Sequence, residues 1–208
     1  MIDAHAVEAT STPERGRGRF VPWACLCVAM LAGWVAAATP AAAADPAVKF
    51  MAQVGRELMA AARSRSPSLM AGVVQKYGDV TYIGLFSLGA YRARLTEEER
   101  VNYYAGMLRF IGRYGSTEAP KYPIARVDWD NQSFRSSSGG LMVQSRVTLT
   151  NGTSYDVSWL LCKQGSSYKV RDAMVLGFWM TPFLKSLFEG YIAKHGGNPR
   201  ALVAALNR

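Results

Sequence analysis

One segment near the middle of the chain, residues 86–115, contains an unusually apolar helix. Thr96 followed by Glu99 forms a capping box, which predicts that the helix begins there. A helix that is apolar on two sides is buried on both. The second side therefore contacts either more protein core or an apolar molecule that is not protein. At helical spacing, two apolar stripes follow the cap, formed by Val101, Tyr104, Leu108 and Ile111, and by Tyr103, Met107, Phe110 and Tyr114.

The first 44 residues have the composition of an export signal. Arg15, Arg17 and Arg19 precede an apolar run from residue 20 to residue 38, and an Ala-x-Ala site ends at Ala44. We therefore predict a cleavable secretory signal peptide over residues 1–44, with cleavage near Ala44. The alternative is an uncleaved anchor, because the run approaches the length that spans a bilayer.

The remaining residues, 45–208, have the length of a single domain. The leader holds three basic and three acidic residues, so the rest of the chain keeps the net charge of +9. A basic exported domain suits anionic lipid headgroups or an acidic partner, and no motif supports binding to nucleic acid. Cys162 is the single cysteine after the leader, which excludes an intramolecular disulfide there.

The pattern after the leader predicts an α+β fold. Residues 46–115 have helical spacing, residues 122–177 alternate as strands, and residues 178–207 return to helix. Asn151-Gly152 is a strong hairpin signal within the strand region. We expect an antiparallel four-stranded meander sheet with helices packed on one face. An N-terminal helical segment and C-terminal helices would complete the layer.

The chain has few groups suited to catalysis or to metal binding. His195 and Cys162 are the only His and Cys after the leader and cannot form a His/Cys metal site. We predict no metal and no cofactor. Alternation places Asp172 on the same strand face as Val170 and Met174, which leaves two interpretations open. Asp172 is either a buried catalytic acid or a structural acceptor for nearby backbone N–H groups.

The chain contains the three segments LGAYRARLTEEERVNYYAGM, YKVRDAMVLG and FEGYIAKHGGNPRALVAALN. Together they resemble the MlaC family of toluene-tolerance or phospholipid-binding carriers. LGAYRARLTEEERVNYYAGM resembles the family's L-G-x-Y motif ahead of an aromatic-rich helix. YKVRDAMVLG resembles its aspartate-bearing strand, and FEGYIAKHGGNPRALVAALN resembles its C-terminal motif with a Gly-Gly pair. The resemblance covers residues 45–208. The chain departs from the family pattern after Gly177, where Phe178-Trp179-Met180 stands in place of a Val-Ser-like continuation. Pro182 then falls where the family begins a regular helix.

The resemblance implies a periplasmic lipid carrier rather than an enzyme. Such a carrier is a monomer that holds the acyl tails of a phospholipid in an apolar cavity between sheet and helices. It passes the lipid between an outer-membrane lipoprotein/porin complex and an inner-membrane ABC transporter complex. The family also includes a hopanoid-associated, HpnM-like branch, so the lipid is alternatively a hopanoid. Rivals from other classes are a small-molecule isomerase or hydrolase that uses Asp172, and an envelope adaptor without a ligand.

Candidate binding residues follow from the apolar stripes and strand faces. Each is also a candidate for ordinary core packing. The basic candidates for headgroup binding or docking, which otherwise form a solvated surface, are Arg92, Arg94, Arg109, Arg113 and Lys121. The candidates for lining the cavity are Tyr82, Leu85, Phe86, Tyr103, Met107, Phe110, Val127, Trp129, Val143, Val147, Trp159, Met174 and Leu176. For the helix after Thr96, we expect Tyr103 or Phe110 to border a cavity.

Overall fold

The computed structural model describes residues 45–137 and 139–208. The predicted signal peptide, residues 1–44, lies outside the described residues. Short 3₁₀ segments, Gly89–Arg94 and Ala119–Lys121, flank the fourth helix. Within the described ranges the helices are α1 (Pro46–Ser64), α2 (Pro67–Tyr77), α3 (Val80–Leu88), α4 (Glu97–Glu118), α5 (Met180–Lys194) and α6 (Pro199–Leu206).

Five of the six described helices begin at a residue whose side chain accepts a hydrogen bond from the first turn. The capping box predicted at the start of α4 is confirmed, because the Thr96 hydroxyl accepts from the Glu99 N–H and the Glu99 carboxylate accepts from the Thr96 N–H. Asp45 caps α1 by accepting from the Ala47 N–H at 2.7 Å. Its other carboxylate oxygen accepts from the backbone and the hydroxyl of Ser133 at 2.8 and 2.7 Å. Asp45 therefore ties the first helix to the loop after the first strand.

The sheet is antiparallel, as predicted, but it has more strands than the four expected. Its order is β1-β3-β4-β5-β6, and β2 pairs with β3. The two additional strands are each two residues long, too short to produce an alternation that the sequence could show. The strands are β1 (Ile124–Trp129), β2 (Phe134–Arg135), β3 (Leu141–Leu149), β4 (Ser154–Gln164), β5 (Ser167–Val175) and β6 (Phe178–Trp179).

An irregularity in β5 corrects the predicted strand faces. Val170 pairs with Leu161, whereas Asp172 pairs with Leu160, so Arg171 is an additional residue in the ladder. A bulge of this kind shifts the alternation by one residue. Asp172 therefore does not share the face of Val170, contrary to the prediction. Met174, which pairs with Ser158, is shifted to the other face with it.

The helices pack in two groups, and one of them packs against the sheet. α1 packs Met51 and Val54 against Val143 and Leu161 of the sheet. α4, α5 and α6 form a second cluster around buried residues that include Tyr103, Met107, Phe188, Ile192 and Leu206. The predicted α+β class is confirmed.

Two helical glycines predict opposite effects of the same substitution. A Cβ on Gly112 in α4 would lie 2.4 Å from the Pro67 carbonyl oxygen and 2.9 Å from Ala71 Cβ in α2. Because backbone cannot move aside, we expect Gly112→Ala to lower the free energy of unfolding by about 1–3 kcal/mol. Gly190 in α5 has open space at this position, so Gly190→Ala should raise it by about 0.5–1 kcal/mol. Urea unfolding measures both, and equal destabilisation would contradict the α2–α4 packing.

Candidate functional site

A large cavity lies between the sheet and the helices. Its volume is about 970 Å³, near the upper end of the roughly 300–1,000 Å³ of small-molecule sites. The sheet contributes Trp159 of β4 and most of the C-terminal half of β5. The helical side is lined mainly by apolar residues of α1, α2, α3, α4 and α5, among them Val54, Leu58, Met70, Val73, Val74, Ile83, Phe110, Ile111, Phe183, Leu184 and Leu187.

The lining is almost uncharged. Of the 25 described residues that line the cavity, only Arg171 and Asp172 carry a charge. Both lie at the bulge in β5, next to each other in the chain. The rest of the surface offers dispersion contacts and few hydrogen bonds, which suits an apolar ligand.

Arg171 is held by groups outside the sheet. Its Nε donates to Asp79 Oδ2 at 3.1 Å, and its guanidinium lies 4.7 Å from the ring centroid of Tyr82 in α3. Burial alone would raise the pKa of Asp79, but the hydrogen bonds from Arg171 and the Tyr82 N–H hold it below its usual value. The Cys162 thiol donates to the same Oδ2 at 3.3 Å, and burial raises the pKa of that thiol. This ion pair ties the start of α3 to the bulge in β5.

Asp172 serves as a cap for a helix in another part of the chain. Its Oδ1 accepts from the N–H of Thr181 at 2.9 Å and from the N–H of Ala173 at 2.8 Å. Trp179, the residue before α5, provides no side-chain cap of its own. The carboxylate therefore satisfies a first-turn donor that would otherwise be unpaired. Burial raises the pKa of Asp172 above its ordinary value despite these hydrogen bonds.

Tyr77, at the end of α2, is a positioned side chain in the cavity wall. Its hydroxyl donates to Glu57 Oε1, and its ring meets Phe50 edge-on with centroids 5.7 Å apart. Hydrogen bonds from Tyr77 and Lys76 lower the pKa of Glu57 to about 2. Two kinds of contact therefore join α1 to α2 in this wall: hydrogen bonds from Tyr77 and Lys76 to Glu57, and ring packing between Phe50 and Tyr77.

The cavity opens to solvent through an apolar rim. Leu176 and Gly177 form the two-residue turn between β5 and β6, and both have positive φ, 52° and 82°. Such turns normally carry Asn-Gly or Gly-Gly, because a leucine side chain is strained there. The apolar rim is defined by six large side chains that both line the cavity and are exposed: Tyr114, Leu176, Phe178, Met180, Phe183 and Leu187.

Of the 13 candidate cavity residues, the structure brings Phe110, Trp159 and Leu176 to this cavity. Phe110 stacks on Tyr114 and meets Phe188 edge-on, with centroids 6.2 and 5.6 Å apart. Trp159 is fixed by a hydrogen bond from its Nε1 to Ser145 Oγ at 3.0 Å.

The other ten candidates lie elsewhere. Tyr103 and Met107 are fully buried in the cluster of α4, α5 and α6, and the Tyr103 hydroxyl bonds Ser87 and the Gly84 carbonyl. Tyr82 and Phe86 stack on each other on α3, beside the half-buried Leu85. The remaining five are strand residues. Met174 lies on the face of β5 that points away from the cavity. The core clusters against the sheet contain Val127, Trp129, Val143 and Val147.

None of the five basic candidates lines this cavity. Arg94 donates to the Gly197 carbonyl, Arg113 to the Leu206 carbonyl, and Lys121 pairs with Glu118 at 2.7 Å. Arg92 offers its carbonyl to Arg100, while Arg109 lines a separate groove of about 650 Å³ between α2 and α4. The cation at the cavity, Arg171, was not among the candidates.

The residues that sequence reasoning missed are mostly in α2 and around the β5–β6 turn. The signal in α2 is its low charge: SLMAGVVQKY has one charged residue in ten. The signal at the turn is Leu176-Gly177-Phe178, an apolar sequence where an exposed turn usually carries polar residues.

The described residues contain neither a helix apolar and long enough to cross a membrane nor a cluster of three metal-ligating side chains.

Comparison with known proteins agrees with the resemblance of the three sequence segments. The chain resembles the solved structure of a phospholipid-binding protein from Ralstonia solanacearum, determined in complex with a phospholipid. The two share 18% identity with a TM-score of 0.62, over 77% of this chain and 94% of that one. No curated protein matches. The profile of the MlaC protein family matches residues 49–208, and the chain therefore belongs to the MlaC family.

Proposed function

We propose that this protein is a periplasmic carrier that binds the acyl tails of a phospholipid and moves the lipid between membrane complexes. The observation that carries the proposal is the apolar cavity of about 970 Å³ between sheet and helices. Membership of the MlaC family and the likeness to a protein solved with a phospholipid support the same class of ligand.

The energetics explain why such a cavity is needed. Moving one methylene from water to an apolar site gains about 0.8 kcal/mol, so a chain of about fourteen methylenes gains about 11 kcal/mol. A lipid that leaves a bilayer unprotected pays this cost for each tail. A cavity lined by side chains such as Val73, Val74 and Phe110 removes most of the barrier, because both environments are apolar. The function requires burial and release and no covalent chemistry.

The proposal includes export through the predicted leader and transfer between an outer-membrane lipoprotein/porin complex and an inner-membrane ABC transporter complex. The thirteen candidate residues stay part of it in two roles, with Phe110, Trp159 and Leu176 in contact with the tails and the other ten supporting the walls. The five basic candidates would serve docking rather than tail binding.

Two alternatives differ in their chemistry. A hopanoid, which is also apolar, fits the same kind of lining and differs in mass. An isomerase or hydrolase that uses Asp172 gains some support, because Asp172 lines the cavity and burial raises its pKa. Against it, Oδ1 of Asp172 already accepts two backbone N–H groups.

Native mass spectrometry of the protein purified from its own periplasm tests the proposal. We expect a bound species with the mass of a diacyl phospholipid, released on denaturation and identified by fragmentation. A bound species with the mass of a hopanoid would change the identity of the ligand and still support the carrier function. A ligand-free protein that also takes up no lipid from phospholipid vesicles would contradict the carrier itself.

A further inference from the structure

Six of the thirteen large apolar side chains that are exposed among the described residues border one opening and form the apolar rim. Phe178 is 71% exposed and Leu176 is 69% exposed, although both are large and apolar. Single exposed apolar residues need no explanation, but a group around one opening indicates a surface that is covered in function. The rim lies where the cavity meets solvent.

The backbone at the tip of the rim supports a functional reason for this exposure. Leu176 adopts φ of 52°, where a non-glycine residue other than Asn or Asp is rare. Packing does not explain the leucine, because most of its side chain is in solvent. Turn preference does not explain it either, since Asn would fit better. A residue that satisfies neither local nor core requirements points to a contact made outside the molecule.

We propose that the apolar rim inserts into the surface of a lipid bilayer, so that the cavity mouth opens directly onto the membrane. The proposal rests on the carrier function above and adds where the lipid enters and leaves. A tail that passes from bilayer to cavity through such a contact never crosses water. The apolar lining continues without interruption from the rim residues Leu176 and Phe183 into the cavity.

The low charge of the rim suits insertion into a bilayer, and the net charge of the whole chain favours anionic headgroups. Residues 173–188, which contain five of the six rim side chains, include no acidic residue and one basic residue, Lys185, which lies 3.9 Å from the Glu189 carboxylate. The chain as a whole carries a net charge of +9. Anionic headgroups attract such a protein, and apolar side chains at the interface then add to binding. A protein partner on the rim is the competing outcome of the test.

Sedimentation with vesicles of phosphatidylglycerol measures the contact. We expect Leu176→Asn together with Phe178→Ser to lower the partition coefficient at least about tenfold, which corresponds to about 1.4 kcal/mol. Asn tolerates positive φ, so Leu176→Asn alone should not lower the melting temperature. The matched control is Val101→Gln, because Val101 is 66% exposed on α4 and lies outside the cavity. It should leave the partition coefficient within about twofold.

The outcomes separate this proposal from the carrier function. Absence of vesicle binding by the wild-type protein, or equal binding by the rim variant and the wild type, would overturn membrane insertion and assign the rim to a protein partner. Lipid carried by the wild-type protein is measured separately by native mass spectrometry. A wild-type protein that binds vesicles but never carries lipid would refute the carrier function and leave the membrane contact standing.

Discussion

Val73→Trp combined with Val74→Trp should abolish lipid binding while the protein stays folded. Both valines line the cavity from α2, and neither belongs to a packed core cluster. The two indole rings would therefore grow into the cavity and occupy volume that the tails need. We expect the fraction of lipid-loaded protein in native mass spectra to fall at least about tenfold. Overpacking should cost no more than about 1–3 kcal/mol of stability.

Leu69→Trp is the control for this double variant. Leu69 lies on the same helix, is 56% exposed and does not line the cavity. It adds an equal ring to α2 without filling the cavity, so its lipid content should match the wild type. Full lipid loading of the double variant would mean that the tails occupy another part of the molecule, such as the groove beside Arg109.

The same filled variant distinguishes the two roles given to this face of the molecule. Its rim is intact, since Leu176 and Phe178 lie on the β5–β6 hairpin and not on α2. We therefore expect it to sediment with phosphatidylglycerol vesicles like the wild type while it carries no lipid. A joint loss of both properties would mean that vesicle sedimentation reports tail binding rather than rim insertion.

The apolar helix after Thr96 shows how far sequence periodicity reaches. It predicted the cap of α4 and the buried stripe at Tyr103 and Met107, because both depend on local spacing alone. The prediction that the other stripe is buried is wrong at its start, since Val101 is 66% exposed. Periodicity did not predict where along one stripe the packed core ends. Tyr103 and Met107 pack against α5 and α6. The neighbouring Gly106 has no side chain, so the Leu206 Cβ can lie 2.8 Å from the point that a Cβ on residue 106 would occupy. Phe110 and Tyr114, one to two turns later, border the cavity, although Phe110 still contacts Phe188 of α5.

The sheet shows the complementary limit. Hairpin signals and alternation identified the four long strands, but alternation assumes a regular ladder. The additional Arg171 reverses the faces of the residues that follow, and nothing in the local pattern of YKVRDAM distinguishes it. The cavity wall at β5 therefore contains Ala173 and Val175, and Met174 lies on the other face. Register and bulges depend on partner strands, which a single sequence does not show.

Asp172→Ala should lower the free energy of unfolding by about 2–4 kcal/mol, because it leaves the N–H groups of Thr181 and Ala173 without their acceptor. Asp156→Ala is the control: its side chain is 63% exposed in an ion pair with Arg146, and its loss should cost less than about 1 kcal/mol. Urea unfolding of both variants measures the difference. Equal losses would show that the start of α5 does not depend on Asp172.

Asp172→Asn should cost much less at neutral pH, because its amide oxygen still accepts both hydrogen bonds. The pKa of Asp172 is raised above 3.8 in the folded protein, so folding favours the neutral carboxyl group. The stability that this raised pKa contributes is complete below about pH 3.8 and is lost as the pH rises through the pKa of Asp172 in the folded protein. Asparagine stays neutral throughout, so the stability of the variant relative to the wild type should improve from pH 3 to pH 7. A relative stability that worsens over that range would mean that the ionised carboxylate is the favoured cap of α5, whose wall of Phe183, Leu184 and Leu187 closes the cavity.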